Sequence, residues 1–201
     1  CFSSLIYIII RMKIAILGNG GREHSIAKQI RKSKKCTELY CIPGNGGTSN
    51  IAKNVDINLE KFQEIYKFVK EKKINLVIVG PEKPLVEGIV DYLEKKRVKV
   101  FGPNKFASKL EGSKIFTKKI CKKYKIPTAN FGIFYNKQKT LNFLKKISFP
   151  IVIKADGLAS GKGVYICENL NTSIKATKEI FNGKFGRADK ILVEEFLDGE
   201  E

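Results

Sequence analysis

Three glycine-rich segments carry most of the polar residues whose types and spacing suit the binding of a small ligand. They read "GNGGREH" at 18–24, "PGNGGTS" at 43–49 and "GPEKPLVEG" at 80–88. Each segment follows or ends a short apolar run that is typical of a buried strand. Backbone N–H groups in such turns can face an anion at the start of the next helix, where the helix dipole adds a favourable potential. The segments therefore predict a site for a polar, phosphorylated ligand.

The residues of these loops divide into two chemical sets. The small residues, with their backbone amides, suit a phosphate: Gly20, Gly21, Gly46, Gly47 and Thr48. The polar side chains suit sugar hydroxyls or an amine: Asn19, Asn45 and Glu82. Because the carboxyl ends of parallel strands share one crevice, we expect the three loops to converge on one ligand. Simple chain reversal explains any one of the loops, but explains all three less well.

A dinucleotide-binding oxidoreductase fits these loops less well. Its fingerprint requires glycine where Glu23 stands and an acidic residue at the end of the second strand, where the sequence reads "CIPGNGG". His24 has no neighbouring Cys or second His to complete a metal site, so capping, ligand contact and plain packing remain its open roles. We assign it no proton transfer.

A fourth glycine-rich segment, "IVIKADGLASGKGV" at 151–164, resembles a P-loop without being one. Gly163 follows Lys162 where a P-loop needs Ser or Thr, and the next segment is a strand rather than a helix. A glycine-rich hairpin can nevertheless close over a triphosphate while Lys154, on its strand, holds phosphate charge and Lys162 reaches the outer phosphates. A solvated hairpin tip is the alternative, and it leaves the two lysines around Asp156 unexplained.

The elements before Pro103 predict an open, doubly wound parallel α/β sheet. Apolar runs typical of buried strands occupy 13–17, 38–42, 75–80 and 98–102, and they alternate with helical periodicity over 23–33, 59–72 and 85–96. Alternation of this kind is the signature of a parallel sheet with helices on its faces.

After Pro103 the pattern changes to an α+β unit. Helices are expected over 112–124, 138–146 and 170–181, with strands after Pro127, on both sides of the 151–164 loop and close to the chain end. The boundary is expected near 103–112. Because "LDGEE" directly follows a strand, we expect this second unit to be incomplete.

The net charge of +18 comes from 38 Lys and Arg against 20 Asp and Glu. The lysines are spread along helical stretches, which is typical of solvated helix faces, and a dedicated nucleic-acid surface is the alternative. The five cysteines are scattered without a CxxC pair, which favours a reducing, cytoplasmic location. They are Cys1, Cys36, Cys41, Cys121 and Cys167.

Residues 1–11, "CFSSLIYIIIR", form an apolar stretch too short to span a bilayer and without the flanks of a signal peptide. We interpret them as a non-native or upstream extension, with a lipid-modified Cys1 as the alternative.

With these segments in place, the chain resembles the glycinamide ribonucleotide synthetases (phosphoribosylamine–glycine ligases) of the ATP-grasp superfamily. The ordered set of motifs from Met12 to Glu201 carries the resemblance: "ILGNGGREH", "PGNGGT", "NLVIVGPEKPLVEGIVDYL", "VFGPNKFASKLEGSK", "KIPTANF", "PIVIKADGLASGKGV" and "EEFLDGEE". No single motif decides it.

The resemblance implies a ligase of de novo purine biosynthesis. ATP, with Mg²⁺ or Mn²⁺, would activate the glycine carboxylate as glycyl phosphate, and the amine of 5-phosphoribosylamine would attack it, giving glycinamide ribonucleotide, ADP and phosphate. No nucleic-acid or membrane partner is expected. The family's metal ligands are expected beyond Glu201 and none in this chain, so the chain by itself is expected to be inactive.

The resemblance also implies site residues by position. The catalytic residues would be Lys154 and Lys162. ATP would be bound by Lys114, Lys154, Asp156, Gly157, Ser160, Gly161, Lys162, Gly163, the adenine hinge Glu194, Glu195, Phe196 and Leu197, and Glu201 at the ribose. Phosphoribosylamine would be bound by Asn19, Gly20, Gly21, Arg22, Gly46, Gly47, Thr48, Pro81 and Glu82.

The implied organisation has a Rossmann-like pre-ATP-grasp domain at 12–103 and a linking helix region at 104–125. The ATP-grasp small subdomain follows at 126–201, truncated at the adenine hinge.

Overall fold

The computed structural model describes residues 11–158, 162–186 and 189–200. The chain divides into two compact units, the first ending at Ser108 and the second beginning at Lys109. Each unit is built on its own sheet, and the two sheets differ in kind: one is parallel and the other antiparallel.

The first unit is a five-stranded parallel sheet with helices between the strands. Its strands are β1 (Met12–Gly18), β2 (Cys36–Pro43), β3 (Lys53–Asn54), β4 (Leu76–Val79) and β5 (Val100–Phe101), in the spatial order β3-β2-β1-β4-β5. Its helices are α1 (Gly21–Arg31), α2 (Phe62–Glu71), α3 (Glu82–Glu87) and α4 (Ile89–Lys95), with a short 3-10 helix at Thr48–Asn50. The short strand β3 was not predicted.

Both faces of the parallel sheet are buried, and β1 shows why its sequence is apolar throughout. Successive side chains of a strand point to opposite faces. Ile14 and Ile16 pack with α1 in one core cluster, whereas Ala15 and Leu17 pack with α2, α3 and α4 in another. Helices therefore cover both faces, and the predicted doubly wound architecture is confirmed.

The order of the strands reverses beside β1. The chain runs outward from β1 to β2 and β3, then returns to place β4 on the other side of β1. Open α/β sheets bind ligands outside the carboxyl ends of their strands at such a reversal. This places the loops after β1 and β4 at the position that this fold uses for binding.

The prediction of one helix from Leu85 to Lys96 is wrong, because α3 and α4 are separate. Gly88 stands between them with φ +98°, in the left-handed region that glycine adopts at little cost. Its N–H donates to the carbonyls of Pro84 and Leu85, both at 3.0 Å, and so closes α3. The helix α3 also begins earlier than expected, at Glu82.

The second unit is a four-stranded antiparallel sheet in the order β6-β9-β7-β8. Its strands are β6 (Phe131–Phe134), β7 (Ile151–Ala155), β8 (Val164–Cys167) and β9 (Ile191–Glu195), and its helices are α5 (Lys109–Gly112), α6 (Lys114–Tyr124), α7 (Lys137–Leu144) and α8 (Leu170–Phe181). Ile151, Ile153 and Ala155 pack into the core that α7 and α8 cover. Val152 and Lys154 alternate with them and lie on the opposite face.

Two further features concern both units of the described structure. None of the helices in the described ranges combines the length and apolar character that a membrane crossing requires. Cys36, Cys41, Cys121 and Cys167 are all free thiols, and burial raises the pKa of Cys36, Cys41 and Cys167.

We expect Ile153→Ala to lower the free energy of unfolding of the second unit by about 2–5 kcal/mol, since Ile153 is fully buried between sheet and helices. Ile166→Ala is the matched control, because Ile166 lies on the neighbouring strand but is 58% exposed. Its cost should stay within roughly 1 kcal/mol. Urea unfolding of the two variants measures both values, and equal losses would contradict the assignment of the core face.

Glu38 should make the stability of the first unit depend on acidity. Hydrogen bonds from Lys13, Tyr40 and Lys53 lower the pKa of this carboxyl from 4.5 to about 2. A pKa that is lower in the folded state stabilises the fold above pH 4.5, and the contribution is lost as the pH falls toward 2.

Glu38→Gln should therefore lower the urea midpoint at pH 7 and reduce the difference between pH 7 and pH 3. Glu64→Gln, which breaks an exposed pair with Lys61, is the control and should leave that difference unchanged. An unaltered pH dependence in Glu38→Gln would contradict this account.

Candidate functional site

The loops after β1, β2 and β4 meet at the carboxyl edge of the parallel sheet. Gly44 N donates to Gly18 O at 3.2 Å, and Asn45 Nδ2 donates to Asn19 O at 2.9 Å, so the first two loops touch. Gly80 N donates to Leu17 O at 3.0 Å, which joins the third loop to the end of β1. The expected convergence of the three loops is present in the structure.

Arg22 links the first loop to the third through two hydrogen bonds. Its Nη1 donates to Gly80 O at 2.7 Å, and its Nη2 donates to Glu82 Oε1 at 2.8 Å. The backbone N–H at the start of α3 and the Arg22 guanidinium lower the pKa of Glu82. Glu82 is therefore an anionic acceptor at the rim of the edge, suited to hydroxyl or amine donors.

The second loop is closed by its own side chains. Asn45 Oδ1 accepts from Gly47 N at 2.8 Å and from Thr48 N at 2.9 Å, and Thr48 Oγ1 accepts from Asn45 N at 2.8 Å. Thr48 has no exposed surface and also donates to Asn54 Oδ1 at 2.8 Å. In this arrangement Thr48 shapes the loop and presents no surface to a ligand.

These bonds change the expectation of a phosphate cradle built from backbone amides. The amides of Gly20, Gly47 and Thr48 already donate within the chain, to Glu23 and Asn45. Among the described residues, Gly21 N and Gly46 N have no acceptor within the chain and remain available to an anion. Sequence reasoning missed this because it could not know which loop groups would satisfy one another.

Glu23 is a buried residue of this edge, and sequence reasoning gave it no role in the site. Only 5% of it is exposed, and its Oε2 accepts from Gly20 N at 2.7 Å. The signal in the sequence was an acidic residue at a position where a dinucleotide fingerprint needs glycine.

His24 packs against the second loop rather than forming a metal centre. A Cβ added to Gly47 would lie 2.5 Å from its Cε1 atom, so the ring fills the space above that glycine. The described ranges contain no cluster of three His, Cys, Asp or Glu that could hold a metal ion. Of the roles left open for His24, this geometry favours packing.

A cavity of about 380 Å³ opens beside Asn19 and Pro81. Its wall includes Pro43 and a segment that sequence reasoning did not single out, residues 56–60, which contributes Asp56, Asn58 and Glu60. Lys83 forms an ion pair with Glu60 in this wall. Carboxylates and amides dominate the polar groups, so the cavity suits the donor-rich part of a ligand.

In the second unit, Lys154 lies on the sheet face opposite the core. Its Nζ is 2.8 Å from Glu194 Oε2, and Lys118 Nζ is 3.4 Å from Glu194 Oε1. The Glu194 side chain is only 5% exposed, whereas that of Lys154 is 26% exposed. The buried carboxylate therefore holds the Lys154 ammonium group at the surface of the sheet, where this group can bind an anion.

The base of the 151–164 loop is attached to the start of α6. Asp156 accepts from Ser113 Oγ at 3.0 Å and from Ile115 N at 3.1 Å, and Lys190 Nζ lies 3.2 Å from its Oδ2. Lys114 Nζ donates to Gly157 O at 3.1 Å. Lys114 and Asp156 are thus brought together, with Asp156 directed at the helix N-terminus.

The remaining predicted residues of the second unit lie as follows. Lys162 is exposed, and Gly163 O accepts from Ala155 N at 2.8 Å, which closes the hairpin. Ser160, Gly161 and Glu201 lie outside the described residues. After β9, Phe196 is 36% and Leu197 is 64% exposed.

The side chain of Glu195 pairs with Asn130 instead of facing a ligand. It accepts from Asn130 N at 2.8 Å and from Asn130 Nδ2 at 2.9 Å, and these bonds lower its pKa. Its contribution to a nucleotide site would therefore come from the backbone.

Comparison with curated proteins finds relatives along almost the whole chain. Phosphoribosylamine–glycine ligases from Clostridium acetobutylicum and Haemophilus influenzae are 47% and 44% identical to it, each over 94% of this chain. The aligned parts are 46% and 45% of those relatives. The chain thus spans about half the length of the curated relatives it matches.

One solved structure gives the same relationship, and a second shares the fold. A phosphoribosylamine–glycine ligase from Thermotoga maritima is similar with a TM-score of 0.74 and 33% identity, over 94% of this chain and 44% of that one. The biotin carboxylase domain of a 2-oxoglutarate carboxylase from Hydrogenobacter thermophilus has a TM-score of 0.73 at 20% identity, over 94% of this chain and 45% of that one, and shares the fold.

Two family models match consecutive parts of the chain. The N domain of phosphoribosylglycinamide synthetase matches residues 12–111, and the ATP-grasp (A) domain of the same enzyme matches residues 112–201. The chain belongs to the phosphoribosylglycinamide synthetase family.

Proposed function

We propose that this chain provides the amine-substrate and nucleotide sites of an ATP-dependent ligase that joins glycine to 5-phosphoribosylamine. The observation that carries the proposal is the position of Lys154 in the second unit. The buried Glu194 holds its ammonium group beside a glycine-rich hairpin. The family relationship supports the choice of substrates.

For ATP, we assign phosphate binding to Lys154 and Lys114 and adenine recognition to the backbone of residues 194–197. Lys154 sits on a strand and is anchored by an ion pair, so little side-chain freedom would be lost when it binds a phosphate. Lys162 is exposed at the hairpin and suits the outer phosphates. The geometry gives Asp156 a supporting role at the start of α6.

For phosphoribosylamine, we assign the carboxyl edge of the parallel sheet. The polar wall of the cavity, together with Asn19 and Glu82, suits hydroxyl and amine donors, and the amides of Gly21 and Gly46 suit an acceptor group. Arg22 holds Glu82 in place for this task.

The proposed reaction passes through an acyl phosphate. An oxygen of the glycine carboxylate would attack the γ-phosphorus of ATP and release ADP; the amine would then attack the acyl carbon and release phosphate. Lysine ammonium groups help because negative charge gathers on the transferred phosphoryl group. Excluding water protects the reactive acyl phosphate from hydrolysis.

We propose that a divalent cation, Mg²⁺ or Mn²⁺, accompanies ATP and is held through its phosphates. The described residues present no metal-ligand cluster, so we assign its protein ligands to the part of the family's sequence that this chain does not span. We further propose a phosphoribosylamine-binding domain at 12–103, a linking region at 104–125 and an ATP-binding subdomain from 126. A cytoplasmic location stays a prediction.

The net charge of +18 favours one competing function, a nucleic-acid-binding module. Titrating the chain with ATP and with duplex DNA at 50–200 mM salt, on the order of the range over which counterion release weakens DNA binding, separates the two. We expect ATP binding to persist at the upper salt concentration while DNA binding is lost. Tight DNA binding that persists there, with no effect of ATP, would contradict the ligase assignment.

Lys154→Ala should raise the Kd of the chain for ATP by about tenfold or more, because a charge-assisted hydrogen bond contributes about 1.5–3 kcal/mol. Lys178→Ala is the matched control, since it removes the same charge from an exposed position on α8. Calorimetry gives the affinities. In Lys154→Ala only Lys118 remains paired with Glu194, so circular dichroism checks that the second unit is still folded. Equal affinities in the two variants would show that Lys154 does not bind the nucleotide.

A further inference from the structure

Glu23 is a buried charge at the carboxyl edge of the parallel sheet, between the loops after β1 and β4. Burying a carboxylate is costly unless it receives hydrogen bonds. Here Oε2 accepts from Gly20 N at 2.7 Å, so the position of the carboxylate and that of the first loop determine each other.

Three glycines make the space that Glu23 occupies. A Cβ added to Gly18 would lie 2.5 Å from Glu23 Cγ, and one added to Gly20 would lie 2.9 Å from Oε2. A Cβ added to Gly80 would overlap Oε1. Any larger residue at Gly80 would therefore force either the Glu23 carboxylate or the third loop to move.

The preceding residue acts on the same loop from outside. Arg22 Nη1 donates to Gly80 O at 2.7 Å, while Glu23 fills the space against the Gly80 Cα. Two consecutive side chains of α1 therefore contact the loop after β4, Arg22 at the surface and Glu23 in the interior. This double contact adds to the hydrogen bond from Gly80 N to Leu17 O in holding together the loops on either side of the strand-order reversal.

We propose that Glu23 is a positioning residue for the amine substrate. It sets the separation of the two loops that line the phosphoribosylamine site, without contacting the ligand itself. This proposal rests on the proposed function of that edge. A role confined to capping α1 would instead affect stability and leave ligand affinity unchanged.

The test uses glycinamide ribonucleotide, the stable product, as the probe, and ATP as the second ligand, both titrated by calorimetry. Glu23→Ala leaves Gly20 N without its acceptor, and we expect the Kd for glycinamide ribonucleotide to rise about tenfold or more. Glu23→Gln keeps an acceptor oxygen and should stay within about threefold of the wild type. The Kd for ATP should not change in either variant.

Two more variants keep the test decisive. Glu38→Gln weakens a carboxylate network at the start of β2, away from the loops, so it should lower stability without changing either Kd. Gly80→Ala should weaken glycinamide ribonucleotide binding in the wild-type background, and should add less than about twofold when Glu23 is already Ala, because the overlap is then gone.

The outcomes are separable. If the wild type binds glycinamide ribonucleotide and both Glu23→Ala and Gly80→Ala bind it equally well, the positioning role is overturned and the proposed function stands. If Glu23→Ala does not fold, Gly80→Ala alone decides in the same way. If the wild type does not bind the probe at all, the proposed function of the edge is wrong, and the positioning role is overturned with it.

Discussion

A carboxylate that is removed from water must be hydrogen-bonded or ion-paired, and this constraint shapes the candidate sites of both units. Glu23 is 5% exposed, the side chains of Asp156 and Glu194 are 6% and 5% exposed, and each carboxylate has a hydrogen-bond or ion-pair partner. Glu23 accepts a hydrogen bond from Gly20 N. Asp156 accepts one from Ile115 N at the start of α6 and forms an ion pair with Lys190. Glu194 forms ion pairs with Lys118 and Lys154. Moving a loop or a lysine away from its carboxylate would leave that buried group with fewer partners.

The same principle explains how hydrogen bonds hold the glycine-rich loops in one arrangement. Flexible turns would have to lose conformational entropy when a ligand binds. In the first unit, the loops instead satisfy much of their own hydrogen bonding, through Glu23, Asn45 and Arg22. As a result, fewer backbone N–H groups remain for a phosphate. The exposed polar groups are side-chain amide and carboxylate oxygens, which accept hydrogen bonds from hydroxyl and amine donors.

The architecture could be predicted from the sequence because continuous apolar runs and 3.6-residue periodicity are local properties. The strands β1, β2 and β4 and the helices α1, α2 and α8 all lie where their apolar patterns indicate. The break at Gly88 could not be predicted, because a glycine inside a helical pattern breaks the helix only when its backbone turns left-handed. The two-residue strand β3 is too short to have a pattern.

The sequence singled out only some residues of the candidate site, and it did not indicate their internal bonding. The glycine loops and Lys154 stand out by residue type and spacing. The roles of Asn45 as a loop clamp, Glu195 as the partner of Asn130, and the 56–60 segment as a cavity wall depend on contacts between residues distant in the sequence. Glu23 shows the limit most clearly, since its environment is made by glycines from two loops.

The central claim is that the chain holds two different small-molecule sites, one in each unit. Backbone amide NMR shifts of the isotope-labelled chain test it most directly. ATP should shift the amides around residues 154–157 and 193–197, and glycinamide ribonucleotide should shift those around residues 18–22, 44–48 and 80–82. If both ligands shifted the same set of amides, or if ATP acted on the loops after β1 and β4, the assignment of two separate sites would be contradicted.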